Sequence, residues 1–417
     1  MEKEKTIYVF ADFLPFHNEL VGTIYVSQTR GKEFYSFEYE QRWLENQPMV
    51  LDPDLQLYKG RQYINDDKNI FGIFADSCPD RWGKRLMKRR EELRAKKAEE
   101  KPRKLLESDY LLGVFDKARM GGLRFKTELD GEFLSNDKEY ATPPWTSLRE
   151  LEQASIAFEN DDTGLDEKWL KQLLAPGSSI GGARPKASVM APDGSLWIAK
   201  FPSKHDDFNS GAWEMVVHDL AVMCGLNVPE AKVEKFSKLG TTFLVKRFDR
   251  VAEQRIHFSS AMTMLGKKDG ANATDGSSYL EIASFLKANG AKPKRDLQEL
   301  WKRIVFSMAV SNTDDHFRNH GFILSDEGWE LSPLYDVNPD IYGEYLSLNV
   351  DSDNSSIDFD LAIDAALFYG IEEEQAVEIV EGIKGIVKDN WKVLAKKYGI
   401  SRGEMERMKP AFRECEE

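Results

Sequence analysis

Alternating apolar and polar positions mark the first strands of this chain. Thr6-Ile7-Tyr8-Val9-Phe10 and Val21-Gly22-Thr23-Ile24-Tyr25-Val26 place β-branched and aromatic residues where a pleated, half-buried surface favours them. From about Asp80 to Lys104 the period becomes that of a charged helix, with Trp82, Leu86, Met87 and Leu93 as its apolar stripe. Its cations are mixed with Glu91, Glu92, Glu99 and Glu100, which reads either as a solvated face or as a contact surface for a partner. Gly121-Gly122-Leu123-Arg124-Phe125 returns the chain to strand character, and the polar stretch 131–144 reads as a linker. A second β-rich region opens near residue 180. Ala187–Met190 and Leu196–Phe201 flank the turn tripeptide Pro192-Asp193-Gly194, and Lys232–Phe236 and Thr241–Lys246 flank Gly240. Between these hairpins, Trp213, Met215, Val216, Leu220 and Met223 give 212–224 a helical period. Beyond about residue 258 the pattern is predominantly helical, over Tyr279–Ala288, Leu297–Val310, Phe359–Tyr369, Glu373–Ile386 and Trp391–Tyr398.

Composition narrows the class without choosing a function. The 417 residues are enough for two or three domains, and 41% hydrophobic with 31% charged residues describes a globular chain. A net charge of −14 argues against a protein that wraps nucleic acid by itself. No apolar run reaches a membrane-spanning length, and Met1-Glu2-Lys3-Glu4-Lys5 lacks the apolar region of a secretory signal. Cys78, Cys224 and Cys415 are widely spaced and odd in number, so they read as reduced thiols of a cytoplasmic protein.

Chemistry enters at Asp314-Asp315-His316-Phe317-Arg318-Asn319, followed by Leu334-Tyr335-Asp336. A carboxylate, an amide five residues later and a second carboxylate farther on form the set that phosphoryl transfer from ATP requires. One carboxylate faces the attacking hydroxyl, while the amide and the other carboxylate offer oxygen ligands to Mg2+. The protein-kinase signature has the same Asp-to-Asn interval and a later metal-binding Asp. Taken alone, that interval also fits a solvated turn. The features upstream give it weight. Small residues in Gly177-Ser178-Ser179-Ile180-Gly181-Gly182-Ala183-Arg184-Pro185-Lys186 allow backbone N–H groups to approach phosphate, although the segment fits neither a Walker A loop nor Gly-x-Gly-x-x-Gly. Lys200 ends an apolar strand, either as a phosphate-neutralising lysine or as an exposed strand end. Glu214 lies on the next helix, either paired with Lys200 or at the surface. Lys246-Arg247-Phe248-Asp249-Arg250 follows the last β run, where a kinase hinge presents backbone groups to adenine. His316 either assists the carboxylate and γ-phosphate or packs against the loop backbone. Their order predicts an α+β, two-lobed kinase-like fold with ATP between a β-rich lobe and an all-α lobe.

The chain resembles the HipA family of serine/threonine kinases, the toxin components of bacterial toxin–antitoxin modules. The matching stretches are Ser179 through Lys186, Ile198-Ala199-Lys200-Phe201-Pro202, Lys246 through Arg250, Asn312 through Asn319 and Leu331 through Asp336. Asp80-Arg81-Trp82-Gly83 and Gly121 through Phe125 extend the resemblance to the family's first domain. It implies a HipA-like N-terminal domain over 1–135, an ATP lobe over 145–257 and a helical lobe with the catalytic loop over 258–417. It implies Asp314 as catalytic base with His316 beside it, and Asn319 and Asp336 as Mg2+ ligands. Nucleotide binding would fall to Ser179, Gly181, Gly182 and Ala183, to Lys200 with Glu214, and to Lys246, Phe248 and Asp249 at the adenine. Ser179, or the adjacent Ser178, matches a serine that becomes autophosphorylated. Arg184-Pro185 departs from the polar pair that many relatives carry.

The same resemblance implies a protein acceptor in translation, such as an aminoacyl-tRNA synthetase. It also implies a HipB-like helix-turn-helix antitoxin, through which alone DNA would be reached, and no membrane. Two other readings stay open: a catalytically idle corepressor of the same shape, and a lipid or small-molecule kinase sharing the Asp-x-His-x-x-Asn loop.

Overall fold

The computed structural model describes every residue except 1–3, 47–48, 65–67, 139–140, 161–169, 171–172, 174–181 and 417. The chain divides into two units, Met1–Ala199 with Asp249–Ser259, and Lys200–Phe248 with Ser260–Glu417.

In the first unit the alternating segments become β1 (Lys5–Ala11) and β2 (Glu19–Thr29), and the chain returns as β3 (Lys32–Tyr39). The two loop residues, Arg30 and Gly31, both have positive φ, the hairpin geometry that matches strand twist. With β4 (Gln62–Tyr63) and β5 (Leu123–Lys126) they form a sheet ordered β4-β3-β2-β1-β5. Ile7, Val9, Ile24, Val26 and Phe37 fill its buried face.

Helix α1 (Arg81–Lys97) begins where the Asp80 side chain accepts the Gly83 N–H, and it buries Trp82, Leu86 and Met87. Its outward cations are answered locally: Arg89 pairs with Glu92, Arg94 with Glu91 and Glu100, and Lys84 with Glu107. Exposed pairs of this kind add little to stability, while the Glu91 carboxylate among them is itself buried. Helix α2 (Leu148–Glu159) follows, then β6 (Lys186–Met190) and β7 (Leu196–Lys200), with Gly194 at φ +83 in the turn between them. The 249–259 segment adds the short strands Arg250–Val251 and Gln254–Arg255.

The second unit holds α3 (Ser210–Met223) and the antiparallel pair β8 (Ala231–Glu234) and β9 (Thr242–Lys246). Helix α4 (Tyr279–Asn289) opens on a Ser278–Glu281 capping box, and α5 (Pro293–Ala309) opens on proline. Trp301 of α5 is fully buried, its indole N–H on the Ala362 carbonyl. One hairpin interrupts the helical region: β10 (Gly321–Ser325) pairs with β11 (Gly328–Leu331). Gly-Phe-Ile-Leu-Ser is too short an apolar run for its period to separate strand from helix. The segments expected as two helices, Glu373–Ile386 and Trp391–Tyr398, are one helix, α6 (Glu373–Lys397). Lys388 and Asp389 between them lie on its exposed side, so their polarity marks a face and not a break. Trp391 of α6 stacks on Phe412 at 4.6 Å, and both rings are buried.

Candidate functional site

The 312–319 loop is held from beneath. Helix α5 ends at Ala309, and Ser311 adopts a left-handed φ of +49 that turns the chain into the loop. Asp315 is buried beneath it and accepts hydrogen bonds from Tyr279 Oη (2.8 Å) and Ser307 Oγ (3.2 Å), with His320 Nε2 at 2.9 Å. Burial raises the Asp315 carboxyl, but His320, Tyr279 and Ser307 together outweigh it and hold it below its ordinary value. Asn312 donates its N–H to the Ser307 carbonyl (2.8 Å) and accepts the Asn338 N–H on Oδ1 (3.2 Å). The Asp340 N–H meets the Ser311 carbonyl (3.1 Å), and Thr313 Oγ1 donates to Asp340 Oδ2 (2.6 Å). Tyr335 Oη donates to the Arg318 carbonyl (2.8 Å). These bonds stitch the residues around Asp336 to the loop that carries Asp314 and Asn319.

Asp314 faces outward, with 84% of its side chain exposed, and His316 Nε2 lies 3.7 Å from its Oδ1. The Asp314 carbonyl accepts the His316 N–H (3.0 Å) and Asn319 Nδ2 (2.7 Å). That second bond fixes the Asn319 amide and leaves its Oδ1 buried, without a hydrogen-bond donor among the described residues. A buried acceptor left without a donor costs about 1–3 kcal/mol, which a cation beside it would relieve.

Asp336 has a left-handed φ of +59, and its Oδ1 lies 2.6 Å from Lys200 Nζ. The same ammonium lies 2.5 Å from Glu214 Oε1. Burial lowers the Lys200 ammonium, but Asp336 and Glu214 outweigh it, so its pKa stands above the ordinary lysine value and the charge persists. Glu214 is buried on α3, which settles its position away from the surface. Helix α3 reaches that position because Gly211 has no side chain: a Cβ there would stand 2.0 Å from the Thr241 carbonyl oxygen. Trp213 and the Asn209 N–H both donate to Glu404, fixing the same first turn.

The adenine-side candidates divide. The Lys246 N–H is spent on the Glu230 carbonyl (2.8 Å), so of its backbone groups the carbonyl is the one left to offer a ligand. The Phe248 ring lies 5.8 Å from that of Tyr335. Asp249 has structural partners. It is fully buried in the first unit, where Oδ2 accepts the Gly121 N–H (2.8 Å) and Arg250 Nη1 (2.6 Å). It therefore anchors the first unit's backbone. Gly182, at φ +50, and Ala183 are exposed in the first unit, while Ser178, Ser179 and Gly181 lie outside the described residues.

Among the described residues no group of three or more His, Cys, Asp and Glu forms a metal cage. Magnesium does not need one, because it commonly takes one or two carboxylates together with water and phosphate oxygens. The orphaned Asn319 oxygen and the Asp336 carboxylate fit that requirement. Sequence reasoning missed Asp315 and Tyr335 as the residues that hold the loop. The Asp-Asp doublet signalled that one carboxylate faces inward, without saying which.

Comparisons with known proteins point to one family. Residues 178–391 match the HipA-like C-terminal domain, and residues 15–107 match the HipA N-terminal domain. The serine/threonine-protein kinase toxin HipA of Shewanella oneidensis is 24% identical over 234 residues, 48% of this chain and 52% of that protein. Y4mE of Sinorhizobium fredii, named as an unproven kinase, is 29% identical over 182 residues, 38% of this chain and 41% of that protein. The chain thus spans about half the length of the curated relatives it matches. In the solved complex of S. oneidensis HipA, HipB and operator DNA, one chain superposes with a TM-score of 0.66 at 16% identity, over 98% of this chain and 96% of that one. The fold is therefore the α+β, two-lobed kinase-like fold of HipA. No helix among the described residues is long and apolar enough to cross a membrane.

Proposed function

Because this chain belongs to the HipA family, we propose that it is an ATP- and Mg2+-dependent serine/threonine protein kinase of that family's toxin type. The observation that carries the reading is the Lys200 ammonium held between Glu214 and Asp336, with Asp336 tied to the loop of Asp314 and Asn319. In this reading Asn319 and Asp336 hold Mg2+, which when bound offsets the negative charge of the phosphates. Lys200 meets phosphate oxygens as a fixed cation. Asp314, turned outward, receives the acceptor's proton. The serine or threonine O–H bond breaks, a new O–P bond forms, and the bond from the γ-phosphorus to the bridging oxygen of ADP breaks. His316 orients the Asp314 carboxylate. The Lys246 carbonyl and Phe248 backbone border the adenine, and Gly181, Gly182 and Ala183 border the phosphates.

Ser179, or Ser178 beside it, is the proposed autophosphorylation site, where an added dianion would repel ATP. The three-part division at 1–135, 145–257 and 258–417 belongs to the same proposal. So does a protein acceptor in translation, an aminoacyl-tRNA synthetase being the candidate. The relative solved with HipB and operator DNA supports a HipB-like antitoxin that restrains the kinase and carries it to DNA. Incubation with Mg-ATP, followed by intact mass and peptide mapping, tests the reading. Wild type should gain phosphate at Ser178 or Ser179. Asp314→Asn should lose about 10²–10⁴-fold in transfer rate while still binding nucleotide. Near-normal autophosphorylation by that variant would defeat the assignment.

A further inference from the structure

Lys186, the first residue of β6, closes the Gly-rich segment, and its ammonium is buried. Its partner is Asp80, whose carboxylate serves two purposes at once. Oδ1 accepts the Gly83 N–H and so caps helix α1, while Oδ2 lies 2.8 Å from Lys186 Nζ. Both side chains are nearly inaccessible, 6% for Lys186 and 4% for Asp80. The first turn of α1 holds the same residue by its main chain, where Trp82 Nε1 donates to the Lys186 carbonyl at 3.0 Å. Trp82 is itself fixed, edge-on to Phe158 of α2 at 5.1 Å. Lys186 Nζ also reaches back to the Gly182 carbonyl at 3.4 Å. The segment Gly182–Lys186 is thus fastened at a side chain and at a backbone carbonyl by one helix that lies about a hundred residues earlier in the chain.

A buried ion pair of this kind adds little net stability, since desolvation cancels most of the attraction. Breaking it is another matter. Removing either side chain severs the link between the start of helix α1 and Lys186, and the backbone from Gly182 to Lys186 loses one of its two anchors on that helix. The effect falls on geometry, here that of Gly182 and Ala183, four and three residues away.

We propose that Asp80 and Trp82 are positioning residues for nucleotide binding: acting through Lys186, they set the strand-side end of the Gly-rich segment, so the helix of the first domain governs affinity for Mg-ATP. This rests on the kinase reading above. Neither residue touches nucleotide; their influence passes through the backbone they hold.

The test is titration of a fluorescent ATP analogue with Mg2+ into the full chain, with thermal melts confirming that each variant is folded at the assay temperature. Asp80→Asn and Lys186→Gln should each weaken the dissociation constant about tenfold, and Trp82→Phe about threefold. The Asp80→Asn/Lys186→Gln double variant should be no weaker than either single one, because each breaks the same link. The rate of ATP hydrolysis at saturating nucleotide, measured with Ser178 and Ser179 both replaced by alanine so that the Gly-rich segment is not itself the acceptor, should change by less than about threefold, a separation of affinity from turnover that general destabilisation would not give. Unchanged affinity in folded Asp80→Asn, or additive losses in the double variant, overturns the proposal. Should Asp80→Asn fail to fold, Trp82→Phe decides with the same two outcomes. Wild type unable to bind the analogue would bring down the kinase reading and this inference together, which distinguishes the two failures.

Discussion

At the scale of single residues, the most telling atom is Asn319 Oδ1, buried and undonated among the described residues. A cation bound beside it would relieve the cost of leaving it undonated. Asn319→Leu should therefore leave stability within about 1 kcal/mol of wild type, because it removes an unsatisfied acceptor, and the Asp314 carbonyl keeps its bond from the His316 N–H. Transfer from Mg-ATP should fall by about 10²-fold or more. Urea unfolding and phosphate incorporation measure the two sides, and a loss of several kcal/mol without loss of transfer would make the amide structural. Asp314, Asn319 and Asp336 stand out in the sequence because the roles proposed for them depend on residue type at fixed separation. Asp249 is harder to read, for the opposite reason. Its position after β9 suggested a hinge, but its carboxylate answers to Gly121, more than a hundred residues away. No local pattern encodes such a partner.

Elements carry these residues to their places, and close approach does much of the placing. Helix α3 lies against Thr241 because Gly211 permits it, and Glu214 meets Lys200 one turn later. Gly211→Ala would force a methyl within 2.0 Å of a carbonyl oxygen, so the helix must shift. The expected loss is about 1–3 kcal/mol in equilibrium unfolding, accompanied by weakened nucleotide binding as Glu214 moves from Lys200. A change under about 0.5 kcal/mol would show that the contact is slack. Strands with strict alternation, such as β1 and β2, and helices with long apolar stripes, such as α5, were readable from period alone. The β10–β11 hairpin and the continuity of α6 were not. The first is a short run whose period is ambiguous, and the second turns on which side of a helix its polar residues occupy.

For the molecule as a whole, the −14 charge leaves many carboxylates to titrate in acid, yet the sharpest pH dependence should come from one histidine. His257 is buried in the first unit, stacked on Phe13 at 4.6 Å, and burial depresses its pKa from 6.5 to about 3. Between those values the unfolded chain binds a proton that the folded chain refuses. The stability tied to neutral His257 is therefore fully present above pH 6.5 and is lost as the pH falls toward 3. Complete loss would amount to about 4–5 kcal/mol, at a slope of up to about 1.4 kcal/mol per pH unit. Asp52 works in the opposite sense: burial raises it from 3.8 to about 6, so its contribution fades as the pH rises through that interval. Wild type minus His257→Phe isolates the histidine, because Asp52 is common to both. Thermal and urea unfolding from pH 7.5 to 4.5 should show wild type losing stability faster than the variant below pH 6.5, with the two curves parallel above it. Parallel curves throughout would mean that water reaches the imidazole, and that this part of the first unit is less tightly closed than its packing indicates.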